Sequence, residues 1–164
     1  MISSDFITHI SNEDDKIYLR GTHFPVNMRL FNTSKKYKDI ILQMCEYIRF
    51  LALTTMDGYK KPHGMSSANS GLSFNIIGIV QNRNEDTEYC KIFINPKILS
   101  TSDSTKITTS NCGSITLPNS IEVARYEWVE VSYYNEDGEF CVERFTSPTV
   151  QHEIDHNNGI LITD

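Results

Sequence analysis

The chain has 164 residues, 39% hydrophobic and 22% charged, which is enough to build one packed domain without disulfide staples. Fifteen basic against twenty-one acidic residues leave a net charge of −6, which argues against a nonspecific nucleic-acid binder. No apolar run reaches membrane-span length, and Met1-Ile2-Ser3-Ser4-Asp5 lacks the basic start of a secretory signal, so a reducing cytoplasm is the expected compartment.

Residues 1–34 show weak periodicity and read as irregular. From Ser34 to about Thr54, Ile40, Ile41, Met44, Ile48 and Leu51 recur at helical spacing, predicting an amphipathic helix capped by Ser34. Asp57 to Ser73, rich in Gly, Ser and Asn, reads as a long loop. Ile76–Gln81 and Tyr89–Ile94 are β-type runs around a polar turn, with Asn95-Pro96 ending the second. Ser100–Thr109 reads as a polar connection. Tyr126–Tyr134 and Phe140–Phe145 flank the turn signal Asp137-Gly138, and the slipped alternation at Trp128-Val129 predicts a bulge. Ser147-Pro148 opens a last helix that Gly159 should close. The expected fold is therefore α+β: mostly antiparallel β-sheets around a late metal-binding helix, with an early amphipathic helix, in one domain over 1–164.

The late helix carries His152-Glu153-Ile154-Asp155-His156. Histidines at i and i+4 share one helical face, so both imidazoles can reach one divalent ion. Glu153, beside the first histidine, is placed to act as general base. Only eight residues follow His156, with Asp164 the sole acid among them, so the third ligand is expected upstream. Cys45, Cys90 and Cys141 lie in apolar helix or strand patterns and read as packing. Cys112, in the small polar turn Ser110-Asn111-Cys112-Gly113-Ser114, is the first candidate and His63 the second; His9 and His23 read as solvent-facing. Two imidazoles and one thiolate leave a fourth position open and suit Zn²⁺ or Fe²⁺ alike.

Gln151-His152-Glu153-Ile154-Asp155-His156 fits in full the Q-H-E-x-D-H motif of the peptide deformylases, and from about Ser34 onward the chain resembles that family. Phe93-Ile94-Asn95-Pro96 is similar to its I-N-P segment. Cys112 falls where the E-G-C-L-S motif has its cysteine ligand, although Ser110 stands at the glutamate position and Gly113 at the leucine. Gly71-Leu72-Ser73-Phe74-Asn75-Ile76-Ile77-Gly78 is similar to G-L-A-A-x-Q-x-G, with Ile76 at the glutamine position. Gly71, Leu72, Ile76 and Ile154 become candidate substrate-binding residues. Compact members with such degraded motifs occur among phage-encoded proteins.

The resemblance implies removal of the formyl group from N-formylmethionyl peptides as they emerge at the ribosome, in the (host) cytoplasm. The catalyst would be a monomer with no nucleic-acid or membrane partner. It implies one divalent ion, Fe²⁺ or Zn²⁺ with Ni²⁺ or Co²⁺ able to substitute, on Cys112, His152 and His156. Ile76 cannot donate to a developing oxyanion as the family glutamine does, which leaves the Gly113 N–H. Losing one such donor costs about 2.7–4 kcal/mol, or roughly 10²–10³ in rate. Asn75, adjacent in sequence, is a substitute amide, and Arg125 is expected to pair with Asp155. Two other readings remain: an amidase for another small acyl-peptide, and a silent relative that keeps only the metal.

Overall fold

The computed structural model describes residues 2–3, 23–56, 62–110 and 121–160. In chain order these form β1 (Ile2–Ser3), α1 (Met28–Thr33), α2 (Lys35–Thr54), β2 (Thr55–Met56), β3 (Gly64–Ser66) and α3 (Ser67–Ser70). There follow β4 (Ile76–Gln81), β5 (Tyr89–Thr101), β6 (Thr105–Ser110), β7 (Ile121–Tyr126), β8 (Val129–Tyr134), β9 (Phe140–Phe145) and α4 (Pro148–Asn157).

Strands β3-β4-β5-β8-β9, in that order, make one antiparallel sheet, and β6 and β7 form a separate antiparallel pair. Strand alternation gives the main sheet two apolar faces. Ile76 and Val80 of β4, with Cys90, Ile92 and Ile94 of β5, pack under the α2 stripe of Ile41, Cys45, Ile48, Leu51 and Ala52. Their neighbours Ile77, Ile79 and Phe93 point the other way and join Val129, Val131 and Tyr133 under Val150 and Ile154 of α4. The sheet thus lies between the early helix and the late one, and α4 is held as a fixed platform.

The helix predicted from Ser34 is α2, and Ser34 Oγ accepts a hydrogen bond from the Tyr37 N–H. The last helix is α4, with Ser147 accepting from the Thr149 N–H, Pro148 opening the helix, and Gly159 at φ +79°. The Ile160 N–H closes back on the Asp155 carbonyl at 2.8 Å. Strand β4 has the expected limits, and β8 and β9 pair across Gly138 at φ +81°.

Five local expectations change. Residues 28–33, read as irregular, are α1, a single turn and a half whose start Asn27 caps by accepting from the Leu30 N–H. The loop expected over 57–73 contains β3 and α3. Strand β5 does not stop at Asn95-Pro96. Asn95 takes φ +54° at a register shift, where Pro96 needs no ladder N–H, and its amide accepts from the Val26 N–H and donates to the Val26 carbonyl. The polar stretch 100–109 supplies the end of β5 and most of β6, whose Ser/Thr-rich sequence hides a strand because little of it packs. At Trp128-Val129 the slip marks a crossover rather than a bulge. The chain leaves the β6–β7 pair at Tyr126 and enters the main sheet at Val129, with Ser102 Oγ accepting from the Glu127 N–H on the way.

Candidate metal centre on the late helix

One turn of α4 brings His152 and His156 together, with their Nε2 atoms 3.1 Å apart. Two imidazole nitrogens bound tetrahedrally to one zinc ion sit about 3.3 Å apart, so the pair has the bite of a metal site. Burial lowers His152 from 6.5 to about 4 and His156 to about 3, with the Arg125 charge adding to both. Both rings are therefore neutral near pH 7, the state in which imidazole ligates.

Glu153 turns inward, is 5% exposed, and holds Oε1 4.0 Å from His152 Nε2. Its Oε2 is buried with no hydrogen-bond partner among the described residues. Burial pushes the carboxyl from 4.5 up to about 8, against the opposing pull of Arg125 and of the Ser66 hydroxyl. Strand β3 supplies the wall here: a Cβ added at Gly64 would lie 2.8 Å from Glu153 Cγ and 3.0 Å from Thr149 Cγ2. Only glycine lets this backbone pass so close to the carboxylate arm.

The polar residues of α4 fasten it on two sides. Gln151 donates from Nε2 to the Tyr126 carbonyl at 2.9 Å and accepts the Tyr126 N–H at 3.0 Å. Arg125, the preceding residue of β7, donates to Asp155 Oδ2 at 2.5 Å, which is the pairing expected from sequence. On the other side Asn157 donates to the Ile76 carbonyl and to Asn75 Oδ1, and accepts the Ala68 N–H of α3. The Asn75 amide is thus engaged with Asn157.

The sequence-predicted site residues separate into groups. His152, Glu153 and His156 come together as expected. Cys112 and Gly113 lie outside the described residues, as does His9. Among the described residues no three His, Cys, Asp or Glu side chains gather into a metal-binding group. His63 is exposed. Cys45 and Cys90 are buried between α2 and the sheet, and burial pushes both thiols up to about 12, which makes them packing groups.

The candidate substrate-binding residues Gly71, Leu72, Ile76 and Ile154 take core and cap positions. Ile76 is fully buried on the α2 face of the sheet, opposite to α4, because strand alternation turns Ile77 rather than Ile76 towards Ile154. Ile154 is itself 2% exposed and fills the core between α4 and the sheet. Leu72 packs against the α2-side cluster, and Gly71 is the left-handed cap of α3 at φ +70° with open space around it. The segment that borders Glu153 lies just upstream of Gly71, in β3, with α3 behind it. Gly64, Ser66 and Asn157 were missed by sequence reasoning. Of the three, Gly64 alone left a signal, as the glycine that opens the Ser- and Ala-rich stretch 64–68.

Two neutral imidazoles at ligating distance, beside a buried carboxylate oxygen lacking a partner, fit a divalent ion. An antiparallel α+β fold that presents this set on its late helix has the pattern of a divalent-ion site with a carboxylate beside it. The sequence pattern of the polypeptide deformylase family matches residues 9–164, and the chain belongs to that family.

The peptide deformylase of Karelsulcia muelleri is 30% identical over 154 residues, covering 90% of this chain and 76% of that protein. That of Thermotoga neapolitana is 40% identical over 75 residues, covering 43% of this chain and 44% of that protein. The match to a Mesorhizobium japonicum peptide deformylase covers 58% of its length, so the chain spans about half the length of several curated relatives. A crystal structure of a probable peptide deformylase from Synechococcus phage S-SSM7 superposes with a TM-score of 0.71 at 26% identity, covering 96% of this chain and 97% of that one. No helix among the described residues is long and apolar enough to cross a membrane.

Proposed function

We propose that this chain hydrolyses the formyl amide of N-formylmethionyl peptides, acting on nascent chains in the cytoplasm. The observation that carries the reading is the pair of facing imidazoles with the buried Glu153 carboxylate beside them, in a chain of the deformylase family. His152 and His156, with Cys112 as third ligand, would hold the divalent ion. Fe²⁺ and Zn²⁺ both suit one thiolate and two imidazoles, with Ni²⁺ or Co²⁺ as substitutes. The ion, when bound, supplies Lewis-acid polarisation of water and of the formyl oxygen.

The chain's own residues do the rest. Glu153 takes the proton of the attacking water at Oε2. Its carboxyl is raised by burial in the metal-free protein and is drawn back down beside a cation, which leaves it a base near neutral pH. Glu153 then returns that proton to the leaving amine, so formate and a free N-terminus result. The Gly113 N–H is the proposed donor to the oxygen that gains charge. Arg125 and Gln151 keep α4 in place on β7 while this happens.

The test is hydrolysis of formyl-Met-Ala-Ser by anaerobically purified, iron-loaded protein, alongside Glu153→Gln. The wild type should release formate, and Glu153→Gln should keep its metal while losing at least about 10²-fold in kcat. Near-normal turnover in the variant would remove Glu153 as the base. A wild type inactive on formyl-peptides but active on acetyl-peptides would favour the other amidase, and one inactive on both, the silent relative.

A further inference from the structure

The buried polar groups of the molecule concentrate around one four-residue helix. Ser66 and Ser67 are fully buried, and Asn69, Ser70 and Asn157 nearly so. Within α3 the network closes on itself: Ser66 caps the helix by accepting the Asn69 N–H, and the Asn69 side chain accepts the Ser66 N–H in return. Two side chains then tie this helix to the rest of the fold. Ser67 Oγ donates to the Ile76 carbonyl at 2.7 Å and accepts the Ile76 N–H at 3.0 Å, which fastens α3 to the root of β4.

Asn157 is the other tie. It is 6% exposed and sits one residue beyond His156. Its Oδ1 accepts the Ala68 N–H at 3.2 Å. Its Nδ2 donates to Asn75 Oδ1 at 3.0 Å and to the Ile76 carbonyl at 3.1 Å. One carboxamide thereby satisfies an N–H at the start of α3, a carbonyl of β4 and a side-chain acceptor between them. An apolar residue of the same size would take these bonds from the Ala68 N–H and Asn75 Oδ1 and leave the Ile76 carbonyl with Ser67 Oγ alone.

We infer that Asn157 is a positioning residue for the hydrolytic site: it fixes α3 against the catalytic helix, and through the α3 cap residue Ser66 it sets the wall against which the Glu153 carboxylate rests. The chain of contact is continuous. Asn157 holds Ala68, Ala68 lies two residues from Ser66, and Ser66 ends the β3 strand whose Gly64 backbone borders Glu153. Asn157 lies on the same helix as His152 and His156 yet faces away towards α3, so its loss moves the wall rather than the ligands. This inference rests on the hydrolytic reading above.

The test is Asn157→Leu, compared with the wild type in three readouts: hydrogen exchange at the Ala68 amide, metal content, and kinetics on formyl-Met-Ala-Ser. The expected result is at least tenfold faster exchange at Ala68, full metal content, and a kcat lowered tenfold or more with KM within twofold. Asn157→Asp keeps the acceptor for the Ala68 N–H and should restore protection at Ala68 while kcat recovers in part. Asn75→Ala should add nothing to Asn157→Leu, because both remove the same bond. Unchanged exchange at Ala68 in Asn157→Leu overturns the clamp whether or not the wild type is active. Faster exchange with unchanged kcat, or a kcat loss matched by lost metal, overturns the positioning role. If the wild type hydrolyses no formyl-peptide, the reading of the site fails on that assay alone, and the Ala68 exchange still decides the clamp.

Discussion

Three titratable side chains within five residues of α4 pull the metal-free protein's stability in opposite directions. His152 and His156 fall from 6.5 to about 4 and about 3 on burial, so the stability they lend is present above pH 6.5 and is lost as pH falls below it. Glu153 rises from 4.5 to about 8, so its contribution is present below pH 4.5 and is lost as pH rises through 8. Between 4.5 and 6.5 two imidazoles outweigh one carboxyl, and stability climbs with pH. Between 6.5 and 8 the Glu153 carboxyl governs and stability falls. The melting temperature in EDTA is therefore expected to peak near pH 6.5. A melting temperature that does not fall from pH 6.5 to 8 would show that Glu153 ionises as freely in the folded chain as in the unfolded one. At this scale the sequence was legible where chemistry dictates spacing: His152, Glu153, His156 and the Arg125–Asp155 pair. It was opaque at Ser66 and Asn157, because a buried serine or asparagine has no pattern until its partners are known.

At the scale of elements, α2 and β4 meet at a glycine. A Cβ at Gly78 would lie 2.7 Å from Cys90 Sγ and 3.0 Å from Ile48 Cγ2, closer than packed atoms allow. Gly78→Ala should lower stability by about 1–3 kcal/mol through overpacking, read as a shifted midpoint in urea unfolding. Adding Cys90→Ala should recover part of the loss, since it removes the nearer atom. An unshifted midpoint would mean that α2 does not press on β4 as described. The same junction explains which elements could be read in advance. Helix α2 and strands β4 and β8 each bury one face or both, so their periodicity is written in apolar residues, while β9, which half-buries only Cys141 and Phe145, is marked by the Asp137-Gly138 turn before it. Helix α1 is too short to show a period, and β6 carries Thr and Ser on an exposed pair, so neither leaves such a trace. The extension of β5 past Pro96 depends on the Asn95 amide reaching Val26, a contact between residues far apart in sequence.

Across the whole molecule, the main sheet acts as a partition. Its α2 face is packing, with two buried thiols, and its other face carries α4 with the facing imidazoles and the Glu153 carboxylate. This arrangement explains why the α+β class and the late helix were legible while the wall beside Glu153 was not: β3 meets α4 through a glycine and a buried serine, which leave no apolar period. The central claim is that the two imidazoles of α4 and the thiolate of Cys112 close on one cation. Elemental analysis of purified wild type, Cys112→Ser and His152→Ala tests it most directly. The account predicts one divalent ion per chain in the wild type and loss of most of it in each variant, with all three still folded by circular dichroism. A Cys112→Ser protein that retains a full equivalent of metal would contradict it.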